Sequence, residues 1–467
     1  MHAELAPDLS PEVRRAGDGT DDGRAHWNPQ QETMPVAQMR ELQTRKLKLH
    51  LAYLARHSAL YQRKFAESGF DPAALRSIED LVHLPFTTKA DLRDGQESHP
   101  PFGLHQAAPM EQIIRVTSTA GTTGRPVFQG YAREDVMRRN ESIARGLWGF
   151  GVRPGDRVIN GFALSMFNAG IPFCTGIEHL GAIDIPVGAE RKAEGMLTMA
   201  REMKATVWIG TPSFAGFLAE KCQDVLGISP LELGLRVVCG GGESGFEQPA
   251  FQRKMEDAFG TRHVYDWAST SDAHPNVFAH CQHRQGKHHL TPDFALVELI
   301  DPASGKILPM EDGAEGEYIF THLDRRACPL ARYRTGDILR VHTKPCECGR
   351  TGFRMDIIGR SDDMLIIRGV NLFPSAIQSV VGGFAPKASA RLQIVLDGPG
   401  PRVEPPLRVR IEHASGLGAA ELASLKADIE QAIRARLTVT ASVELVPPGG
   451  IARTETKTRL VIVEART

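Results

Sequence analysis

The chain has 467 residues, 42% hydrophobic and 24% charged, with a formal net charge of -1. That length exceeds one hydrophobic core, so two or more domains are expected. The balanced charge gives no basic field for nucleic acid or an anionic membrane, and no apolar run reaches the ~18–20 residues that span a bilayer. Seven cysteines, an odd count at low density, suit reduced thiols better than a disulfide scaffold. The first residues lack the basic and apolar runs of a signal peptide, so a cytoplasmic, multi-domain protein is expected.

Residues 1–26 are polar, without hydrophobic periodicity, and read as a disordered lead-in. Over residues 39–69 leucines recur among Arg and Lys at helical spacings. Next comes Val116-Thr117-Ser118-Thr119-Ala120-Gly121-Thr122-Thr123-Gly124-Arg125-Pro126, with five hydroxyl side chains and two glycines ahead of a basic residue. Glycine lets backbone come close to an anion, and hydroxyl and N–H groups donate to phosphate oxygens. The Walker A spacing is absent. By composition alone the run is equally a surface turn.

Residues 115–238 alternate short apolar strands with helical segments, the pattern of a layered α/β domain. Strands are expected at 157–161, 181–186, 205–210 and 235–239, the last running into Gly240-Gly241-Gly242-Glu243-Ser244. A strand ending in glycines leaves a backbone-lined crevice where open α/β sheets bind ligands. Between the strands, Phe162-Ala163-Leu164-Ser165-Met166-Phe167-Asn168-Ala169-Gly170 suits a flat apolar ligand or simply a core. The block His263-Val264-Tyr265-Asp266-Trp267-Ala268-Ser269-Thr270-Ser271-Asp272 follows. Further strands are expected at 294–307, turning at 301–305, and at 316–321. A smaller mixed domain from residue 373 has strands at 391–396 and 407–412 and an amphipathic helix at 419–437.

Cys281, His288, Cys346 and Cys348 form two paired clusters of thiols and imidazole. A closed set of four suits a structural, tetrahedral zinc. Cys-x-Cys is tighter than the usual spacing, His280, His283 and His289 compete for the histidine role, and unligated thiols are the alternative.

The Thr/Gly run, Tyr333-Arg334-Thr335-Gly336-Asp337, Gly359-Arg360-Ser361-Asp362-Asp363-Met364 and the lysine of Arg453-Thr454-Glu455-Thr456-Lys457 together resemble the adenylate-forming superfamily, specifically its phenylacetate–coenzyme A ligase branch. Trp27-Asn28-Pro29, Leu84-Pro85-Phe86-Thr87-Thr88-Lys89 and Pro100-Pro101-Phe102-Gly103-Leu104 extend the match over nearly the whole chain. The resemblance implies a large multi-layer α/β N-terminal domain (27–361) that binds nucleotide and acid, and a small mobile α+β C-terminal domain (362–467). It implies an ATP-dependent aryl-acid–coenzyme A ligase that forms an acyl-adenylate and then a thioester.

Nucleotide contacts implied by the resemblance are Thr119, Ala120, Gly121, Thr122, Thr123, Gly124, Arg125, Gly241, Gly242, Glu243, Tyr265, Asp266, Asp337 and Arg360. Lys457, Ser271 and Asp272 are the catalytic set, with Asp272 on Mg²⁺. The hinge is Asp362, and Gly369 lines the coenzyme A channel. Phe162, Phe167, Asn168, Gly170 and Pro212 are the acyl pocket, and a homodimer is implied. Three residues depart from the family pattern: Asp272 stands for the usual Glu, Ser269 for Gly and Arg125 for Lys. An amine or carrier-protein thiol as acceptor, and a non-catalytic relative, stay open. So does the acid: phenylacetate, a substituted phenylacetate, indole-3-acetate or an aminobenzoate.

Overall fold

The computed structural model describes residues 23–119, 126–368, 370–398, 400–451 and 460–464. They form two compact units: the larger runs to Gly241 and takes in Met255–Thr335 and Arg340–Asp356, and the smaller comprises Gly242–Lys254, Gly336–Leu339 and the chain from Ile357.

The larger unit begins with helices Val36–His57 and Ala59–Ser68. On the first, Met39, Gln43, Leu47, His50, Leu51 and Leu54 recur at three- and four-residue steps and are buried, so one stripe faces the core. Ser58, in extended conformation, separates the helices, and Gly69 ends the second at φ +67°. The leucine periodicity thus resolves into two helices.

The central sheet has twelve strands. In spatial order they are Ile307–Leu308, Ala295–Ile300, Glu315–His322, Tyr333–His342, Arg354–Arg360, Lys287–His289, Phe278–Ala279, Val264–Ala268, Val237–Gly241, Val207–Gly210, Arg157–Asn160 and Ile183–Ile185. The last five pair in parallel. Helices Gly170–Leu180, Lys192–Glu202, Pro212–Leu226 and Pro249–Phe259 lie between them in sequence. Val207–Gly210, Val237–Gly241 and Val264–Ala268 are buried throughout, as parallel strands covered on both faces are. Gly240 and Gly241 answer to this packing: a Cβ would fall 1.7 Å from the Gly210 carbonyl oxygen and 1.9 Å from that of Trp267. Trp27, Trp148, Phe173, Tyr265 and Trp267 anchor the core beside helix Arg133–Gly149.

In the smaller unit a four-stranded sheet orders Ala441–Val446, Leu407–His413, Ala388–Leu396 and Val461–Val463. Helix Ala419–Leu437 turns Leu425, Ile429 and Ile433 onto its core. Among the described residues no helix is long and apolar enough to cross a membrane.

Candidate active site and metal centre

The ends of the Thr/Gly run are tied together. Thr119 N–H donates to the Val127 carbonyl (3.0 Å), and Val127 N–H donates to Thr119 Oγ1 (3.0 Å). Strands Ile113–Ser118 and Phe128–Ala132 pair antiparallel on either side. Ala120, Gly121, Thr122, Thr123, Gly124 and Arg125 lie outside the described residues, as do Gly369 and Lys457.

Asp272 is buried, and both its oxygens are gripped. Gln129 Nε2 donates to Oδ1 (3.2 Å) and the Tyr333 hydroxyl to Oδ2 (3.0 Å). Burial raises the carboxyl above its ordinary range, opposed by the charge of Lys89 and these two hydrogen bonds. Asn168 Nδ2 donates to the Ser271 carbonyl (2.6 Å), so the proposed acyl and metal residues are neighbours. Ser269, the departure from Gly, donates its hydroxyl to the Asn276 carbonyl (2.8 Å) and holds the same loop. His322 ties the far side, with Nε2 3.1 Å from the Ala273 carbonyl and Nδ1 accepting from Leu330 N–H (3.0 Å).

The proposed acyl residues divide. Phe162 is buried and stacks on Phe173 (5.4 Å), which meets Trp267 edge-on (5.2 Å). Asn160 fixes the turn between them, donating from Nδ2 to the Gly170 carbonyl and accepting from Phe162 N–H. Pro212 opens its helix and is buried. Phe167, by contrast, is 41% exposed.

Two residues expected at the nucleotide have their polar groups engaged within the protein. Asp266 Oδ2 lies 2.7 Å from Lys287 Nζ in a buried ion pair. Tyr265 stacks on Phe150 at 5.0 Å and bonds His263 Nδ1 through its hydroxyl (2.8 Å), and burial pushes its phenol up to about 12. Gly241 closes its strand, and Gly242 has φ +91°; Glu243 follows in sequence.

In the smaller unit, Arg360 Nη1 donates to Asp337 Oδ1 (2.5 Å). Its Nε and Nη2 engage Asp362 Oδ1 and Oδ2 at 2.8 and 2.9 Å, a bidentate pair. Asp337 and Asp362, expected at the ribose and the hinge, therefore share one guanidinium.

Cys281, His288, Cys346 and Cys348 converge, their ligand atoms all within 4.8 Å of one another. Sγ of Cys281 and Cys346 are 3.6 Å apart, close to the ~3.8 Å edge that Zn–S bonds of ~2.3 Å give a tetrahedron. Cys348 Sγ lies 3.4 Å from His288 Nε2. Hydrogen bonding to Cys281 and His288 holds the Cys348 thiol well below its usual range, favouring the thiolate a metal needs. His288 sits on strand Lys287–His289, paired to Ala279 and Arg354, while the loop after strand Tyr333–His342 brings Cys346 and Cys348. Of the competing histidines, His280 instead accepts Asp266 N–H at Nδ1 (3.1 Å), His289 bonds Asn276 (2.8 Å), and His283 faces Glu347 (3.7 Å).

Gln129 contacts Asp272, and Tyr131 and Arg139 contact Asn168, without having been singled out in the sequence. Only the position of Gln129 and Tyr131, just past the Thr/Gly run, could have marked them.

The layered sheet with a compact C-terminal unit defines an adenylate-forming enzyme. Residues 369–465 match the family model described as AMP-binding enzyme C-terminal domain. The chain is 35% identical to a phenylacetate–coenzyme A ligase of Thermus thermophilus, over 92% of this chain and 97% of that protein. It is 31% identical to one of Escherichia coli, over 91% and 95%. A crystal structure of 2-hydroxyisobutyryl-CoA ligase in the postadenylation state, in complex with R3-HIB-AMP, superposes with TM-score 0.89 at 31% identity, covering 99% of this chain and 96% of that one. The chain belongs to the phenylacetate–coenzyme A ligase family.

Proposed function

We propose that the protein is an AMP-forming ligase that activates an aryl carboxylic acid with ATP and transfers the acyl group to coenzyme A. The observation that carries this reading is 35% identity to a phenylacetate–coenzyme A ligase over almost the full length of both chains.

In the first step the acid's carboxylate oxygen attacks the α-phosphorus of ATP, forming the acyl-adenylate and releasing pyrophosphate. Thr119, Ala120, Gly121, Thr122, Thr123, Gly124 and Arg125 cradle the phosphates with backbone N–H, hydroxyl and guanidinium donors. Magnesium, when bound, shields the phosphate charge that repels the incoming carboxylate. Asp272 is suited to hold it: each of its oxygens accepts a hydrogen bond from the protein and keeps lone pairs, and a cation would offset the burial of its charge. The Ser271 hydroxyl contacts a phosphate oxygen, Asp337 the ribose, and Lys457 the approaching anions. Gly241, Gly242 and Glu243 border the adenine. Asp266 and Tyr265 support that wall from behind, their polar groups being engaged elsewhere. Phe162, Asn168, Gly170 and Pro212 line the acid, with Phe167 at the rim.

In the second step the C-terminal domain, residues 362–467, turns at Asp362, withdraws Lys457 and admits coenzyme A past Gly369. The thiolate then attacks the acyl carbon and AMP leaves. Purified protein given ATP and an aryl acid should release pyrophosphate, and adding coenzyme A should yield a stoichiometric thioester. Pyrophosphate release without thioester would transfer the reading to another acceptor.

We also assign a structural zinc to Cys281, His288, Cys346 and Cys348, a homodimer formed partly through the N-terminal helices, and a cytoplasmic location. The zinc would staple the Phe278–His289 segment to the loop before Arg354. Elemental analysis should find about one zinc per chain. Cys346→Ser should lose it and lower the melting temperature by at least ~5 °C, since metal bound only by the folded chain adds to folding free energy. A zinc-free protein melting unchanged would remove the assignment.

A further inference from the structure

Helix Arg133–Gly149 holds two fully buried arginines with opposite fates. Arg145 is matched by carboxylates, Glu141 at 3.0 Å and Asp293 at 2.7 and 2.9 Å. Arg139 has no carboxylate partner among the described residues. Its Nη2 donates to the Asn168 carbonyl (2.7 Å) and to Asn168 Oδ1 (2.5 Å), while Nε and Nη1 are buried without a hydrogen-bond partner among the described residues.

The surroundings add positive charge. Arg139 lies 4.8 Å from the Tyr131 ring centroid and Arg325 lies 4.1 Å from it. Half-buried Arg115 faces the same phenol and bonds Thr175 Oγ1 (3.2 Å). Burial lowers the Arg139 pKa to about 10, with Arg325 and Arg115 pushing the same way, so it is cationic at pH 7. Arg325 spends its Nη donors on the His274 and Gly130 carbonyls and has only Nε unmatched among the described residues, whereas Arg139 has both Nε and Nη1 unmatched. A buried donor left unmatched is costly, and more so when it is charged. The contact that would satisfy it lies beside Asn168, whose amide reaches the Ser271 carbonyl next to Asp272.

We propose that Arg139 binds an oxygen acceptor on the acid itself, a hydroxyl, oxo or second carboxylate group remote from the carboxylate that is adenylated. The enzyme is then selective for oxygen-substituted acids over unsubstituted phenylacetate. The proposal rests on the reading of Asn168 as an acyl-pocket residue. A site built to hydrogen-bond a substituent discriminates strongly against the analogue lacking it, because its own polar group is then stranded.

The test compares phenylacetate with its ring-hydroxylated and ring-carboxylated analogues in wild type, Arg139→Leu and Arg139→Lys. Wild type should prefer at least one substituted class by about tenfold or more in kcat/KM. Arg139→Leu should compress that ratio to about twofold, and Arg139→Lys should retain part of it. Wild-type preference for phenylacetate overturns the proposal. So does an equal loss for every acid in Arg139→Leu, which would place Arg139 on the reacting carboxylate. The wild-type arm decides the matter even where the leucine variant fails to fold. If no acid yields a thioester, the ligase reading fails separately. Thermal shifts of wild type with the same acids then decide, equal shifts for all overturning the proposal.

Discussion

Acidification from pH 7.5 to 5 should strongly destabilise the protein, through histidines that the fold holds neutral. His50, His105 and His322 are wholly buried, and burial lowers each, the first two to about 3. The charges facing them are all positive. Arg326, Arg138 and Lys46 act on His50, and Arg325 on both His105 and His322. His322 has a geometric reason as well: its Nδ1 must accept Leu330 N–H, which a protonated ring cannot do. These groups have folded pKa values below their unfolded ones. Their contribution is complete above the unfolded value of about 6.5 and is lost as pH falls toward the folded values. Counting only His50 and His105, the unfolded chain binds nearly two more protons near pH 5, a slope approaching ~2.7 kcal/mol per pH unit. By pH 5 these two sum to ~4 kcal/mol, close to the lower end of an ordinary domain's stability. Urea titrations followed by circular dichroism at pH 7.5, 6 and 5 would measure it. A midpoint unchanged across that range would refute the account, and His50→Gln should flatten the slope by about one proton, ~1.4 kcal/mol per pH unit.

Lys457→Ala should separate the two half-reactions. Adenylation brings a carboxylate against a polyphosphate, and a positioned ammonium offsets that repulsion most at the transition state. Loss of such a group costs ~10²–10³-fold in rate. Thioester formation begins from an acyl-adenylate in which the repulsion is gone, so it should proceed within a few-fold of wild type when the adenylate is supplied. Pyrophosphate release and thioester formation measured separately give the ratio. Equal loss in both would take Lys457 out of its assigned role.

The parallel half of the sheet was legible because its strands are apolar runs bounded by glycine. The expected strands at 157–161, 181–186 and 205–210 correspond to Arg157–Asn160, Ile183–Ile185 and Val207–Gly210. The helix expected at 419–437 is found at Ala419–Leu437, where the stripe of Leu425, Ile429 and Ile433 is simple. The four zinc candidates were legible as residue types, but their convergence depends on a strand pairing and a loop more than fifty residues later. Arg139 was hidden by composition. Asp135, Arg138, Arg139, Glu141 and Arg145 read as a solvated helix face, yet all are buried because the helix is covered almost all round. The ion pair of Asp266 was hidden for a different reason: its partner Lys287 comes from a strand twenty-one residues on, and nothing local announces it.

The glycines after strand Val237–Gly241 carry a further consequence. Gly240 and Gly241 lie so close to the backbones of the neighbouring strands that no side chain fits, whatever is bound nearby. The run that reads as a nucleotide fingerprint is therefore required by the sheet as well as by the nucleotide contact proposed for it. A lineage that abandoned ATP would have no freedom to lose it. The signature can outlive the chemistry it advertises, and in a distant descendant it would testify to ancestry of fold before it testified to activity.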